Sequence, residues 1–146
     1  MSEKKKIIIG SDHAGFEMKN SIISNLSDVE FDDIGTDSDE SVDYPDYANE
    51  LVKRIQSNSY SFGILICGTG IGMSMSANRT KDIRAALCLN TKMAELARQH
   101  NDANILCLGS RFIEKSEALK CVDTFMMTKF EGERHLKRIN KKMNCD

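Results

Sequence analysis

A parallel α/β sheet covered by helices on both faces is the fold this sequence predicts, and three observations predict it. Short apolar runs recur five times, at 7–9, 29–34, 62–67, 83–89 and 105–108. Most are rich in Ile, Val or Leu and bounded by Gly, Asp or Asn, as strands buried on both faces should be. The stretches between them have helical period, so strand and helix alternate about five times.

The elements follow in order. Ile7-Ile8-Ile9 opens the first strand, which ends in Gly10-Ser11-Asp12-His13-Ala14-Gly15. Ile22, Ile23 and Leu26 mark a weak helical stripe before the second strand, which ends in Gly35-Thr36-Asp37. Ala48, Leu51, Val52 and Ile55 form a stronger stripe just after Pro45, the only proline. The third strand ends at Cys67 and runs into Gly68-Thr69-Gly70-Ile71-Gly72-Met73-Ser74, a turn leading to another helix. After the fourth strand, Met93, Leu96, Ala97 and His100 repeat the helical stripe. The fifth strand gives way to Gly109-Ser110-Arg111, and Leu119, Val122, Phe125 and Met126 mark the next helix. Residues 132–143 read as an extra helix, polar and basic; with so little apolar face of its own, it suits packing across a partner subunit.

Composition narrows the function. The 146 residues make one domain, 1–146, with 40% hydrophobic and 29% charged residues. Residues 1–5 are expected to be loose and 132–146 to form the C-terminal helix and tail. Twenty basic residues against 22 acidic ones give a net charge of −2, which argues against a dedicated nucleic-acid binder. The three apolar residues at 7–9 are too few for a secretory signal, and no run approaches the ~20 that span a bilayer. A cytoplasmic protein without membrane attachment is expected. The five cysteines are odd in number and none is spaced C-x-x-C, so neither a disulfide framework nor a metal site is expected. Cys67, Cys88 and Cys107 sit in or at the end of apolar runs and read first as small buried hydrophobes.

In such sheets ligands bind outside the carboxyl ends of the strands. The loop 67–74 is the strongest signal there. Its three alternate glycines expose backbone N–H groups ahead of a helix start, which suits a phosphate or an oxyanion formed during reaction. The same glycines also suit a tight strand–helix turn. The spacing is not that of a dinucleotide loop, and the Lys of a P-loop is missing. Cys67 precedes the loop, where a helix start favours the thiolate. It reads either as a base or nucleophile, with the Thr69 hydroxyl beside it, or as a buried strand end. Asp12 and His13 could bind hydroxyls and an anion, or Asp12 could cap a helix. His100 could be a general acid at a helix end or a satisfied core histidine. Arg134 and Arg138, four apart on one face, repel unless an anion lies between them. Either they clamp a phosphate or they decorate a solvated helix. Arg111 has the same two readings. Together these residues supply a base, an acid, an oxyanion cradle, hydroxyl acceptors and phosphate clamps, and no cofactor motif. That inventory fits cofactor-free proton transfer beside a carbonyl in a phosphorylated sugar.

Six segments in family order resemble the type B ribose-5-phosphate isomerase family, which includes galactose-6-phosphate and allose-6-phosphate isomerases. They are Gly10 to Gly15, Asp43-Tyr44-Pro45-Asp46-Tyr47-Ala48, Ile66 to Gly72, Arg98-Gln99-His100-Asn101-Asp102, Gly109-Ser110-Arg111 and Glu131-Gly132-Glu133-Arg134-His135. The resemblance implies a single-domain Rossmann-like three-layer fold, with a five-stranded parallel sheet and an extra C-terminal helix. It implies a homodimer or a dimer of dimers with active sites between subunits. It makes Cys67 the base that moves a proton between C1 and C2, with Thr69 in support. The backbone of Gly68, Thr69, Gly70, Ile71 and Gly72 would hold the enediolate oxygens. His100 would open the furanose ring with help from Asp12. Asn101 and Tyr44 would border the sugar, His13, Arg134 and Arg138 would bind the phosphate, and Arg111 would lie nearby. Ser76 stands where another branch carries a catalytic glutamate, so the cysteine branch fits. The expected activity is interconversion of ribose 5-phosphate and ribulose 5-phosphate. A hexose-6-phosphate isomerase and a non-catalytic sugar-phosphate sensor are the alternatives.

Overall fold

The computed structural model describes residues 4–57 and 59–141. Five strands, β1 (Lys5–Ser11), β2 (Val29–Asp33), β3 (Gly63–Cys67), β4 (Ala85–Leu87) and β5 (Ile105–Gly109), form one sheet. All pairings are parallel and the order is β2-β1-β3-β5-β4. The helices are α1 (Phe16–Asn25), α2 (Tyr44–Gln56), α3 (Ile71–Ala77), α4 (Thr91–Asn101), α5 (Lys115–Met127) and α6 (Arg134–Ile139). A single 3₁₀ turn, His13–Gly15, precedes α1.

Side chains alternate across the sheet and build two cores. Ile7, Ile9, Ile64, Ile66, Leu106 and Leu108 face α1, α4 and α5. Ile8, Leu65, Ile105 and Cys107 face α2 and α3. The three-layer prediction is therefore what the chain adopts. Because β2 lies on one side of β1 and β3 on the other, the strand order reverses between β1 and β3, where open sheets of this kind place their ligands.

The departures from prediction are local. Continuous burial describes β1 over Ile7–Ser11, β3 and β5, but not β2 and β4, which are sheet edges and only partly covered. The apolar run at 83–89 yields a strand of only three residues. Residue Lys5, expected to be loose, already pairs with Val29 in β1, while residues 1–3 lie outside the described residues. The stripe of α2 is buried as read, at Ala48, Leu51, Val52 and Ile55. That of α4 is turned by about one residue: Ala94, Ala97 and Arg98 are buried, whereas Met93 is exposed and His100 half-exposed. The turn follows from Arg98, whose guanidinium stacks 4.8 Å from the Phe62 ring and donates to Asp102 Oδ1 and to the Ala103 and Thr128 carbonyls. The extra C-terminal helix ends at Ile139 rather than 143, and residues 142–146 lie outside the described residues. It packs on α4 of its own chain through His135, and Leu136 is left exposed.

Burial pushes the thiols of Cys88 and Cys121 up to about 12 and about 11, and that of Cys107 up as well. All three behave as small apolar groups. Lys19 is 1% exposed, and its Nζ donates to both carboxylate oxygens of Asp33 at 2.9 and 2.7 Å.

The start of α4 is held from outside. Asn90 accepts from the Met93 N–H, and Glu117 of α5 accepts from both the N–H and the hydroxyl of Thr91 at 2.7 and 2.6 Å. These bonds hold the Glu117 carboxyl below its ordinary value, the hydroxyl bond most and the amide bond next. A folded value below the unfolded one stabilises the protein above the ordinary carboxylate range and loses that stability as pH falls through the folded value. Thermal melts from pH 7 to pH 3 should therefore show Glu117→Gln less stable than the parent at neutral pH, the gap closing in acid. A gap independent of pH would contradict this.

Candidate active site

The carboxyl edge of the sheet gathers the first group of predicted residues. Cys67 ends β3 and is 4% exposed. Its Sγ accepts the N–H of Gly70 at 3.1 Å. That bond is made by a sharp turn: Gly70 has φ +77°, and a Cβ there would stand 2.5 Å from Leu87 Cδ1 and 3.0 Å from the Leu108 carbonyl carbon. Only glycine combines that conformation with that closeness. The Thr69 hydroxyl accepts from the Ile71 N–H at 3.1 Å, and the Gly70 amide donates to the sulfur. The turn carries the chain into α3 with the backbone of Gly68–Gly72 facing the edge. Arg111 lies over Gly68, its Cζ 2.9 Å from where a Cβ would stand, and the Tyr44 ring covers Gly72 in the same way at 2.7 Å.

The end of β1 adjoins this loop. The Asp12 N–H donates to the Ile66 carbonyl, and Asp12 Oδ1 accepts from the Gly15 N–H at 3.1 Å, capping the 3₁₀ turn. The capping reading of Asp12 thus holds for one oxygen; the side chain is almost wholly buried beside Cys67's strand. His13 follows, and its Nδ1 accepts from the Val42 N–H at 3.2 Å. A nitrogen that accepts carries no proton, so the neutral ring presents Nε2–H. The Ser110 hydroxyl donates to the Ala14 carbonyl at 2.8 Å and the Ser110 N–H to the Cys67 carbonyl at 2.9 Å, tying the ends of β1, β3 and β5 together.

The remaining predicted residues collect at the opposite edge. Helix α4 runs back from the end of β4 to the start of β5, so His100 and Asn101 stand at the amino edge. The register pairs Gly63 with Ile105 and Cys67 with Gly109. His100 precedes Ile105, so about 13 Å of β5 separates it from the level of Cys67. Arg134 and Arg138 are exposed on α6, on the same side as His100. The two groups cannot meet on one small molecule within one chain.

Three residues of this second group were quoted in the sequence without a role. His135 is 5% exposed and stacks on His100, with ring centroids 4.2 Å apart and planes 12° from parallel. Glu131 Oε1 lies 3.4 Å from His135 Nε2 and 3.9 Å from His100 Nε2. Burial first, then the neighbouring His100 and Arg134, hold the His135 imidazole below its ordinary value, so it favours the neutral ring. Arg98 anchors the last turn of α4 to the segment after α5 that carries Glu131. The Glu131 N–H completes that link by donating to the Gln99 carbonyl. The sequence signal for this cluster is the four-residue spacing of Glu131 and His135, which puts both on one side of a turn.

The family model for Ribose/Galactose Isomerase matches residues 7–142. A probable ribose-5-phosphate isomerase B of Mycoplasma pneumoniae is 49% identical over 144 residues, covering 97% of this chain and 95% of its own. The crystal structure of a ribose 5-phosphate isomerase from Thermotoga maritima is 55% identical, with TM-score 0.90 over 92% of this chain and 94% of that one. The structure of ribose-5-phosphate isomerase B from Mycoplasma genitalium with bound ribulose-5-phosphate is 43% identical, with TM-score 0.89 over 95% and 94%. With the family model covering nearly all of it, this chain belongs to the Ribose/Galactose Isomerase family.

Proposed function

We propose that the protein is an aldose–ketose isomerase that interconverts D-ribose 5-phosphate and D-ribulose 5-phosphate. The observation that carries the reading is Cys67, buried at the β1/β3 crevice with the Gly70 amide on its sulfur and a glycine loop around it. A thiolate there can take the proton from C2 and return it to C1. In this reading amides of the Gly68–Gly72 loop, other than those of Gly70 and Ile71 that already donate to Cys67 Sγ and Thr69 Oγ1, hold the enediolate oxygens as they develop charge, and each well-placed donor of this kind is worth roughly 2.7–4 kcal/mol. A positioned acid or base adds about 10²–10⁴-fold. Cys67, His100 and the loop are therefore sufficient machinery for the reaction.

The other roles follow from chemistry. His100 donates the proton that opens the furanose ring, and Asp12, with one oxygen not engaged in the cap, assists. Tyr44 and Asn101 border the sugar. The Nε2–H of His13 and the guanidiniums of Arg134 and Arg138 hold the phosphate, with Arg111 beside them.

Because Cys67 and His100 occupy opposite edges of the sheet, the reading requires a homodimer. One subunit supplies Asp12, His13, Tyr44, Cys67, the glycine loop and Arg111. The other supplies His100, Asn101, Arg134 and Arg138 from the end of α4 and from α6. A two-fold axis builds two such sites at once. We place the activity in the cytoplasm, within pentose phosphate metabolism. The chain's relatives named as ribose-5-phosphate isomerases support the pentose over the hexose.

The test is kcat/KM for ribose 5-phosphate, allose 6-phosphate and galactose 6-phosphate measured side by side. The pentose should be preferred by at least about tenfold, since one carbon misplaces the phosphate against a fixed clamp. Equal or better turnover of a hexose phosphate would overturn the assignment, and binding without turnover of any of the three would favour a sensor.

A further inference from the structure

We propose that His100, Glu131 and His135 form a site for a divalent transition-metal ion of the zinc class, and that metal bound there stops the ring-opening step. One ligand atom from each residue lies within 4.8 Å of the other two. His135 supplies the independent observation. Its ring is 5% exposed, and its buried Nε2 makes no hydrogen bond although Glu131 Oε1 lies 3.4 Å away. Buried polar nitrogens are rarely left without a partner, and one that is calls for a reason.

The donor set decides the class of ion. Two imidazoles and one carboxylate are the three protein ligands of open zinc sites, with the fourth position left for water or a substrate oxygen. Imidazole suits zinc, copper and nickel, whereas magnesium and calcium prefer oxygen alone. Metal–ligand distances of about 2.0–2.2 Å set tetrahedral ligands roughly 3.3 Å apart. The Glu131–His135 pair at 3.4 Å already meets that spacing, and the Glu131–His100 pair at 3.9 Å closes with a small shift. One adjustment is needed. The two rings are nearly parallel, so their lone pairs do not yet converge. His135 is buried, whereas His100 is half-exposed in the last turn of α4, so His100 is the ring that would turn about its Cβ–Cγ bond. Binding thus trades a ring stack for a metal bond and pulls His100 out of the pose it holds as an acid. The lone pair that would carry its proton is then on the metal, which makes the ion an inhibitor.

The inhibitory half rests on the proposed isomerase activity; the binding half does not. Co²⁺ is the probe. It is titrated into the whole dimer carrying Cys67→Ser, so that the thiol facing the substrate is removed. One Co²⁺ per chain should bind, with visible d–d bands and without the strong near-ultraviolet band of a thiolate ligand. Glu131→Gln and His135→Ala should each weaken binding at least tenfold. Glu131 is exposed, so its variant keeps the test alive if His135→Ala fails to fold. Binding unchanged by either substitution, a thiolate band, or no binding below millimolar would overturn the site. In the wild type, Zn²⁺ should abolish turnover of ribose 5-phosphate and a chelator should restore it, with Glu131→Gln at least tenfold less sensitive relative to its own metal-free rate. Metal bound to the histidines with turnover undiminished would overturn the inhibition and leave the site. A protein that binds Co²⁺ as described but turns over no ribose 5-phosphate would refute the activity and not the site.

Discussion

Cys67→Ala should lower turnover of ribose 5-phosphate by about 10²–10⁴-fold, the range of a positioned base, while the protein stays folded and binds substrate. The sulfur is the only group of the side chain that differs from alanine, and it occupies the one place where the thiol meets both the Gly70 amide and the mouth of the β1/β3 crevice. The truncation removes the Gly70 N–H bond across the turn, but Gly70's conformation is also set by its packing on Leu87 and the end of β5. Melting temperature should therefore fall only slightly. The effect should appear in kcat rather than KM, because the proposed base acts in the transition state and the substitution leaves the proposed phosphate clamp untouched. Steady-state kinetics with a melting curve on the same sample decide it. Near-normal kcat in a folded variant would remove Cys67 as the base.

Asp33→Ala should cost about 3 kcal/mol, the low end for a broken buried ion pair, because water still reaches the Asp33 side. Lys19 would be left charged and buried, with the Phe16 face, 5.3 Å away, as its remaining partner. For a chain of this size the melting temperature should drop by roughly 6–12 °C. The change reaches the site, since Asp33 Oδ1 also accepts from the Gly35 N–H, and the 35–36 segment exchanges backbone hydrogen bonds with Ser11 next to Asp12. Replacing both partners, Lys19→Met with Asp33→Ala, should recover most of the loss, because no charge is then stranded. A loss below 1 kcal/mol in the single variant, or no recovery in the double one, would contradict this account.

The architecture was legible because the central strands are buried on both faces and therefore read as unbroken apolar runs, as Ile7–Ile9 and Ile105–Leu108 do. The edge strands were read too generously. β4 needs apolar residues on its flanks for core packing at Ile83 and Cys88, which lengthened the run beyond the three paired residues. The phase of α4 was misread because a buried arginine leaves no hydrophobic mark: Arg98 fills an inward position with its stem and finds its hydrogen bonds in the Thr128 carbonyl, 30 residues on, and in Asp102 and Ala103 just past the helix end. His135 was passed over for the same reason. At the site, the glycine spacing after Cys67 pointed to the loop, and a positive φ at Gly70 is why the spacing is there. What spacing did not reveal is that His100 lies at the other edge. That follows from the fold alone, since a helix after one parallel strand must return to the start of the next.

If each active site is built from two chains, a mixed dimer will show it. One chain carries Cys67→Ala and the other His100→Asn, with different tags so that mixed dimers are purified alone. Each homodimer should be nearly inactive. In the mixed dimer, one site receives both substitutions and the other receives neither, so turnover should return to about half that of the wild-type dimer. If instead each chain carried its own complete site, both sites of the mixed dimer would hold one lesion, and turnover would remain at the level of the two parents.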